Sequence, residues 1–143
     1  MDIRPLTDTY AVSPQITPED VAAIVAAGYT TVICNRPDGE IPPDLQADQI
    51  KAAVEAAGLS FCLNPVIGGA ITMDNVTSQG AAIAGATGPV LAYCASGNRS
   101  SIVWALSQAS NMPVDELIGR PAQFGYMLEP FRPTIEQLAK GTA

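Results

Sequence analysis

The chain contains no histidine, and that absence constrains its chemistry. No Ser-His or Cys-His dyad can form, so any nucleophile must be activated by backbone donors, a helix dipole or arginine. The three cysteines, Cys34, Cys62 and Cys94, are scattered and include no Cys-x-x-Cys pair. An odd, dispersed set argues against a disulfide framework and, without histidine, against a zinc site. Neither a metal nor a cofactor is expected. Charge is sparse at 15% of residues, and the formal net charge is −7 with no basic run. Nucleic acid is therefore not an expected partner. No apolar run approaches bilayer-spanning length, and Met1-Asp2-Ile3-Arg4-Pro5 lacks the basic-then-apolar pattern of a secretory signal. No membrane partner is expected, and a reducing cytoplasm fits the cysteine usage.

What is present is a hydrophobic chain of 143 residues, 48% apolar. That suffices for one domain with a real core, spanning 1–143, and excludes a disordered chain. Thr9 to Val12 reads as a first strand. Thr17-Pro18-Glu19-Asp20 opens a helix with a threonine cap and early acids, and Gly28 stops it. Tyr29 to Cys34 is a β-branched strand, and Arg36-Pro37-Asp38-Gly39 a turn. Ile50, Ala53, Val54 and Ala57 share a helical face ending at Gly58. Leu59 to Val66 makes a third strand, followed by a Gly68-Gly69 loop. Thr72 or Asp74 caps a helix running through Ile83. Past residue 110 a short helix spans Val114 to Ile118, Gly119-Arg120-Pro121 breaks it, and a last helix starts near Pro133-Thr134. Strands alternating with helices imply right-handed βαβ units: an α/β fold with a small parallel sheet, mostly four-stranded, and helices on both faces. Ligand sites in such sheets gather at the carboxyl ends of the strands.

Chemistry concentrates at Cys94-Ala95-Ser96-Gly97-Asn98-Arg99-Ser100. The apolar run Pro89 to Tyr93 reads as a buried strand, and Ser100 to Ala109 as a helix. A strand, a glycine-bearing loop and a helix N-terminus make an anion site, because free N–H groups and the helix dipole converge there. Those donors favour a thiolate at Cys94, and Arg99 supplies a planar fork for two oxygens of a tetrahedral anion. The bland alternative is a buried cysteine acting as a small hydrophobe.

Four blocks in order carry a family resemblance: Tyr10 to Thr17, Thr31 to Glu40, Pro65 to Thr72 and Gly88 to Ser100. Together they resemble the β-lactamase-hydrolase-like phosphatase domain, a dual-specificity-phosphatase-like group whose members are also labelled sulfur transferases. The resemblance implies a protein-tyrosine-phosphatase-like fold with Cys94 as nucleophile and Arg99 as oxyanion clamp. It further implies a cradle of backbone amides from Ala95, Ser96, Gly97, Asn98 and Arg99, and a hydrogen bond from Ser100 to the cysteine sulfur. The implied partner is a small-molecule or protein phosphoanion, or a thiol sulfur acceptor.

The chain departs from tyrosine phosphatases in three ways. Their loop holds one residue more between cysteine and arginine; the shorter loop here resembles that of rhodanese, which carries a persulfide. Their histidine before the cysteine is Tyr93 here. Their acidic residue after the third strand is replaced by Ile67-Gly68-Gly69-Ala70, leaving Asp74 as the nearest carboxylate, itself readable as a simple helix N-terminal acid. Lack of a general acid costs a phosphatase ~100-fold or more on poor leaving groups. Cys34 ends a strand on the same sheet edge, either as a resolving thiol or as core. Cys62 reads as core. Arg36 either adds charge to the pocket rim or pairs with Asp38. Phe124, Tyr126 and Phe131 are candidates to shield one side of the pocket. The readings thus run from phosphohydrolase through persulfide sulfurtransferase to a non-catalytic anion-binding or redox-sensing module.

Overall fold

Four short apolar runs pair in parallel and set the frame of the computed structural model, which describes residues 1–141. In chain order the strands are β1 (Arg4–Pro5), β2 (Tyr10–Ser13), β3 (Thr31–Cys34), β4 (Ser60–Leu63) and β5 (Val90–Tyr93). The helices are α1 (Val21–Ala26), α2 (Ala47–Ala56), α3 (Met73–Ala84), α4 (Asn98–Ser107), α5 (Val114–Ala122) and α6 (Arg132–Ala139). Strands lie in the order β1-β2-β5-β3-β4, so β5 is central and runs parallel to both β2 and β3. Every residue of β2, β3 and β5 is buried. Strands covered on both faces read as continuous apolar runs rather than as an alternation. β4 is the half-exposed edge.

The short β1 pairs antiparallel with β2 and makes a fifth strand that the sequence does not announce. Two residues ending in proline carry no periodicity to read.

Each face of the sheet has its own core. Ile24 of α1 and Ile50 and Val54 of α2 pack with Val32, Leu91 and Tyr93 on one side. On the other, Val76 of α3, Val103 and Trp104 of α4, Leu117 of α5 and Ile135 of α6 close over Tyr10, Val12, Ile33 and Ala92. Trp104 stacks on Tyr10 at 5.7 Å between ring centres. Thr72 caps α3: its hydroxyl accepts from the Asn75 amide at 3.1 Å, and the Asn75 side chain accepts from the Thr72 amide at 3.1 Å. Such reciprocal capping stabilises a helix start by ~1 kcal/mol.

Several boundaries differ from expectation: the third strand, expected over Leu59 to Val66, spans only Ser60–Leu63, and α4, expected to run to Ala109, ends at Ser107. α4 starts at Asn98 rather than Ser100, so Asn98 and Arg99 lie in its first turn. α5 runs through Gly119-Arg120-Pro121 to Ala122, where a break is expected. Proline inside a helix costs ~3 kcal/mol, but burying a leucine or isoleucine returns ~1.5–3 kcal/mol each. Leu117, Ile118 and Pro121 are all buried, and burial wins. Among the described residues no helix is long and apolar enough to cross a membrane.

Candidate active site

β5 ends at Tyr93 and delivers Cys94, 1% exposed, to the carboxyl edge of the sheet. The chain then turns through Ala95 and Ser96 to Gly97, whose φ of +99° is a left-handed value that only glycine adopts freely. That turn brings the Gly97 amide back onto the Cys94 sulfur at 3.1 Å and lets α4 start at once. Gly97 is also fixed sterically. A Cβ there would overlap the Tyr126 hydroxyl. Tyr126 donates to the Ser96 carbonyl at 2.7 Å and accepts from Arg4 Nη1 at 2.6 Å, tying the loop to the N-terminal strand. Of the three aromatic candidates for shielding, Tyr126 touches the loop, Phe131 lines a cavity beside Arg99, and Phe124 is exposed.

Within the expected amide cradle, the Gly97 N–H serves the sulfur and the Asn98 N–H donates to Ser96 Oγ at 3.2 Å. Ala95 and Ser96 are exposed at the turn, and the Ala95 carbonyl accepts from the Gln15 amide.

Arg99 reaches across the edge of the sheet. Its two terminal nitrogens grip the Glu40 carboxylate at 2.7 and 2.8 Å, and Nη1 also donates to the Val66 carbonyl at 2.9 Å. The fork is filled by a carboxylate, which has the same bidentate geometry as two oxygens of a tetrahedral anion. The Arg99 hydrogen bonds hold the Glu40 carboxyl below its ordinary pKa of 4.5, so it stays ionised at neutral pH. Arg36 backs this pair: it donates to the Glu40 carbonyl at 3.0 Å and to Gln15 at 3.2 Å. The expected Arg36–Asp38 pairing gives way to Glu40, because Asp38 is engaged in accepting the Ala47 amide at the start of α2.

Ser100 is fully buried and donates its hydroxyl proton to Asn35 Oδ1 at 2.9 Å. A hydroxyl has one proton, so the sulfur is served by the Gly97 amide and the Arg99 side chain rather than by Ser100. Beneath the loop lies a buried amide network. Asn35 donates to Gln79 Oε1 and to the Asn64 carbonyl, both at 2.9 Å, and Gln79 donates to the Tyr10 hydroxyl at 3.0 Å and to Asn35 Oδ1 at 3.2 Å. Tyr10 in turn donates to the Ser100 carbonyl at 2.9 Å. The network joins β2, the ends of β3 and β4, α3 and α4 beneath the 94–99 loop. Sequence reasoning missed it; the signal was asparagine directly after two apolar strands, Cys34-Asn35 and Leu63-Asn64.

Asp74 stands exposed in the first turn of α3, while the carboxylate bonded to Arg99 is Glu40. Cys34 is buried beside its strand partner Tyr93 and donates to the Arg36 carbonyl at 3.4 Å. Burial pushes its thiol above the ordinary value of 9.0. Cys62 is half-buried on β4. A cleft of about 560 Å³ between the 5–8 segment and α5 is larger than the cavity of about 430 Å³ beside Arg99, but no residue of 94–100 lines it.

The chain is similar to known proteins in sequence and in fold. A β-lactamase hydrolase-like protein of Xylella fastidiosa is 36% identical over 108 residues, 76% of this chain, and one of Agrobacterium fabrum is 36% identical over 71% of it. The chain spans about a quarter of the length of these curated relatives. The crystal structure of a candidate phosphatase from Neisseria meningitidis is 39% identical with a TM-score of 0.82, covering 96% of this chain and 98% of that one. Tk-PTP in its active form shares only 13% identity at a TM-score of 0.69, over 99% and 97% of the two chains, a likeness of fold. Residues 2–111 match the family described as the phosphatase-like domain of β-lactamase hydrolase-like proteins, and the chain belongs to that family.

Proposed function

We propose that the chain is a cysteine-dependent phosphohydrolase acting on a phosphoanion with a good leaving group. The observation that carries this reading is the Gly97 amide directed at the Cys94 sulfur at 3.1 Å, with Arg99 in the first turn of α4. That amide and the start of α4 both turn partial positive charge toward the sulfur, which suits an anion at this place. In the reaction the Cys94 thiolate attacks phosphorus and the ester oxygen leaves with its electron pair. Arg99, released from Glu40, stabilises the equatorial oxygens. Water then cleaves the sulfur–phosphorus bond, giving inorganic phosphate and restoring the thiolate. Asp74, exposed in the first turn of α3, is the remaining candidate for the proton donor.

One observation favours a second reading, transfer of sulfane sulfur through a Cys94 persulfide. The carboxylate at the loop is locked in an ion pair and held ionised, so it is a poor proton donor. Persulfide transfer needs no such acid. The two readings separate on product. Release of phosphate from an aryl phosphate, lost in Cys94→Ser, supports the first; thiocyanate formed from thiosulfate and cyanide supports the second and overturns the first.

A further inference from the structure

Beside the reactive loop lies a cavity of about 430 Å³ that the chemistry above leaves unused. Ile71, Ile102, Leu106 and Phe131 wall it, and Asn98 and Arg99 line it too. These last two residues also belong to the 94–100 segment, so the cavity adjoins the candidate anion site. Among the described residues Arg99 is its only charged wall residue, and that guanidinium is already turned to Glu40 and the Val66 carbonyl. Among the same residues no carboxylate or lysine lines the rest. A sugar or nucleotide placed there would lose water from many hydroxyls with few partners in return. An uncharged apolar group loses nothing of the kind, and the volume lies within the range of small-molecule sites.

From this we infer that the cavity binds the organic part of the substrate, and that this part is an apolar group, aryl in preference to small alkyl. The occupant is set by continuity: a molecule whose reacting end sits at Cys94 and Arg99 extends its other end past Asn98 into this space. The assignment rests on reading Cys94 as the reacting atom, and it does not depend on whether a phosphoryl group or sulfur is transferred. Ile102 and Leu106 come from α4 itself, so the helix that carries Arg99 also furnishes the wall against which the substrate body lies.

The test uses the full chain and two alkylthiolating probes, benzyl and methyl methanethiosulfonate. In each, the Cys94 thiolate attacks the sulfenyl sulfur, a disulfide to the benzylthio or methylthio group forms, and methanesulfinate leaves. Rates at Cys94 are read by peptide mass spectrometry and divided by the rates of the same reagents with free glutathione. The expected benzyl-to-methyl ratio is about tenfold, the scale set by partial burial of a ring. It falls to near one in Thr134→Glu, which puts a carboxylate at the exposed rim. Ile71→Asp, on the opposite wall, is the second variant. Equal corrected rates in the unaltered protein, or a preference that survives both variants, overturn the assignment. Labelling of Cys94 by neither reagent overturns the reading of Cys94 as the reacting atom, and the cavity's role with it. Added inorganic phosphate separately probes the anion site: protection of Cys94 supports the phosphoryl reading, and no protection counts against that reading alone.

Discussion

Arg99 and Glu40, 59 residues apart, are joined by two hydrogen bonds of 2.7 and 2.8 Å that fill the arginine fork with a carboxylate. A phosphoanion at the loop must displace that carboxylate. Glu40→Gln removes the competing charge, and phosphate affinity is expected to rise about threefold, the scale of a half-exposed ion pair. Isothermal titration with phosphate measures this. A fall in affinity would mean that Glu40 instead holds Arg99 in its binding position.

The same pair fixes a pH dependence. Arg99 lowers the Glu40 pKa from 4.5, so the pair contributes fully above that ordinary value and is lost as pH falls through the lowered one. The ratio of phosphate affinities between Glu40→Gln and the unaltered chain should therefore stay flat between about pH 5.5 and 8. A ratio that changes within that range would contradict the assignment of Glu40 as the ionised competitor.

Tyr126 is the one side chain of the 112–141 segment that the structure bonds to the Ser96 carbonyl of the loop. Tyr126→Phe leaves that carbonyl and Arg4 Nη1 each one partner short, costing ~1 kcal/mol and about 3 °C in Tm. Because the contact sits on the Cys94 turn, turnover should fall as well, through kcat rather than KM. Unchanged kcat beside a lower Tm would make the contact purely structural.

Gln79 is the hub of the buried network, bonded to Asn35, Asn64 and Tyr10. Gln79→Met keeps the volume but strands buried donors and acceptors, so stability should drop by ~2–4 kcal/mol. Urea unfolding with an unchanged m-value reads this directly. A loss under half that size would show that the network reorganises around the gap.

Most of the frame was legible from residue pattern alone. Tyr29 to Cys34 and Pro89 to Tyr93 read as strands, and β3 and β5 lie within them; the Cys94–Gly97 turn follows from a strand and a helix separated by glycine. What stayed hidden depends on distance in the chain. Glu40 lies in a Pro-Asp-Gly turn whose composition says only that the chain bends; its pairing with Arg99 needs the fold to bring β3 beside β5. Asn35 and Gln79 look like ordinary polar residues until both are found fully buried under Ser100. Ser100 illustrates the same limit. The resemblance implies a bond to sulfur, yet the Ser100 hydroxyl donates to Asn35, which follows the neighbouring strand β3. The run of α5 past Gly119 and Pro121 was hidden for a different reason, since local breaking signals were outweighed by tertiary burial.

Cys34 and Cys94 end neighbouring strands, but burial holds the Cys34 thiol above 9.0. The thiolate is the reactive form, so Cys34 should alkylate slowly at neutral pH and speed up only as pH approaches that range. Loss of activity with iodoacetamide at neutral pH should therefore track modification of Cys94, followed peptide by peptide. Inactivation that tracks Cys34 would assign it a direct role.

A paired assay on one protein preparation decides whether Cys94 performs phosphoryl transfer. An aryl phosphate is supplied in one reaction, thiosulfate with cyanide in the other, each with the unaltered chain and with Cys94→Ser. Phosphate release that vanishes in Cys94→Ser, with no thiocyanate formed, is the expected result. Thiocyanate without phosphate, or phosphate release that persists in Cys94→Ser, would overturn phosphoryl transfer at Cys94.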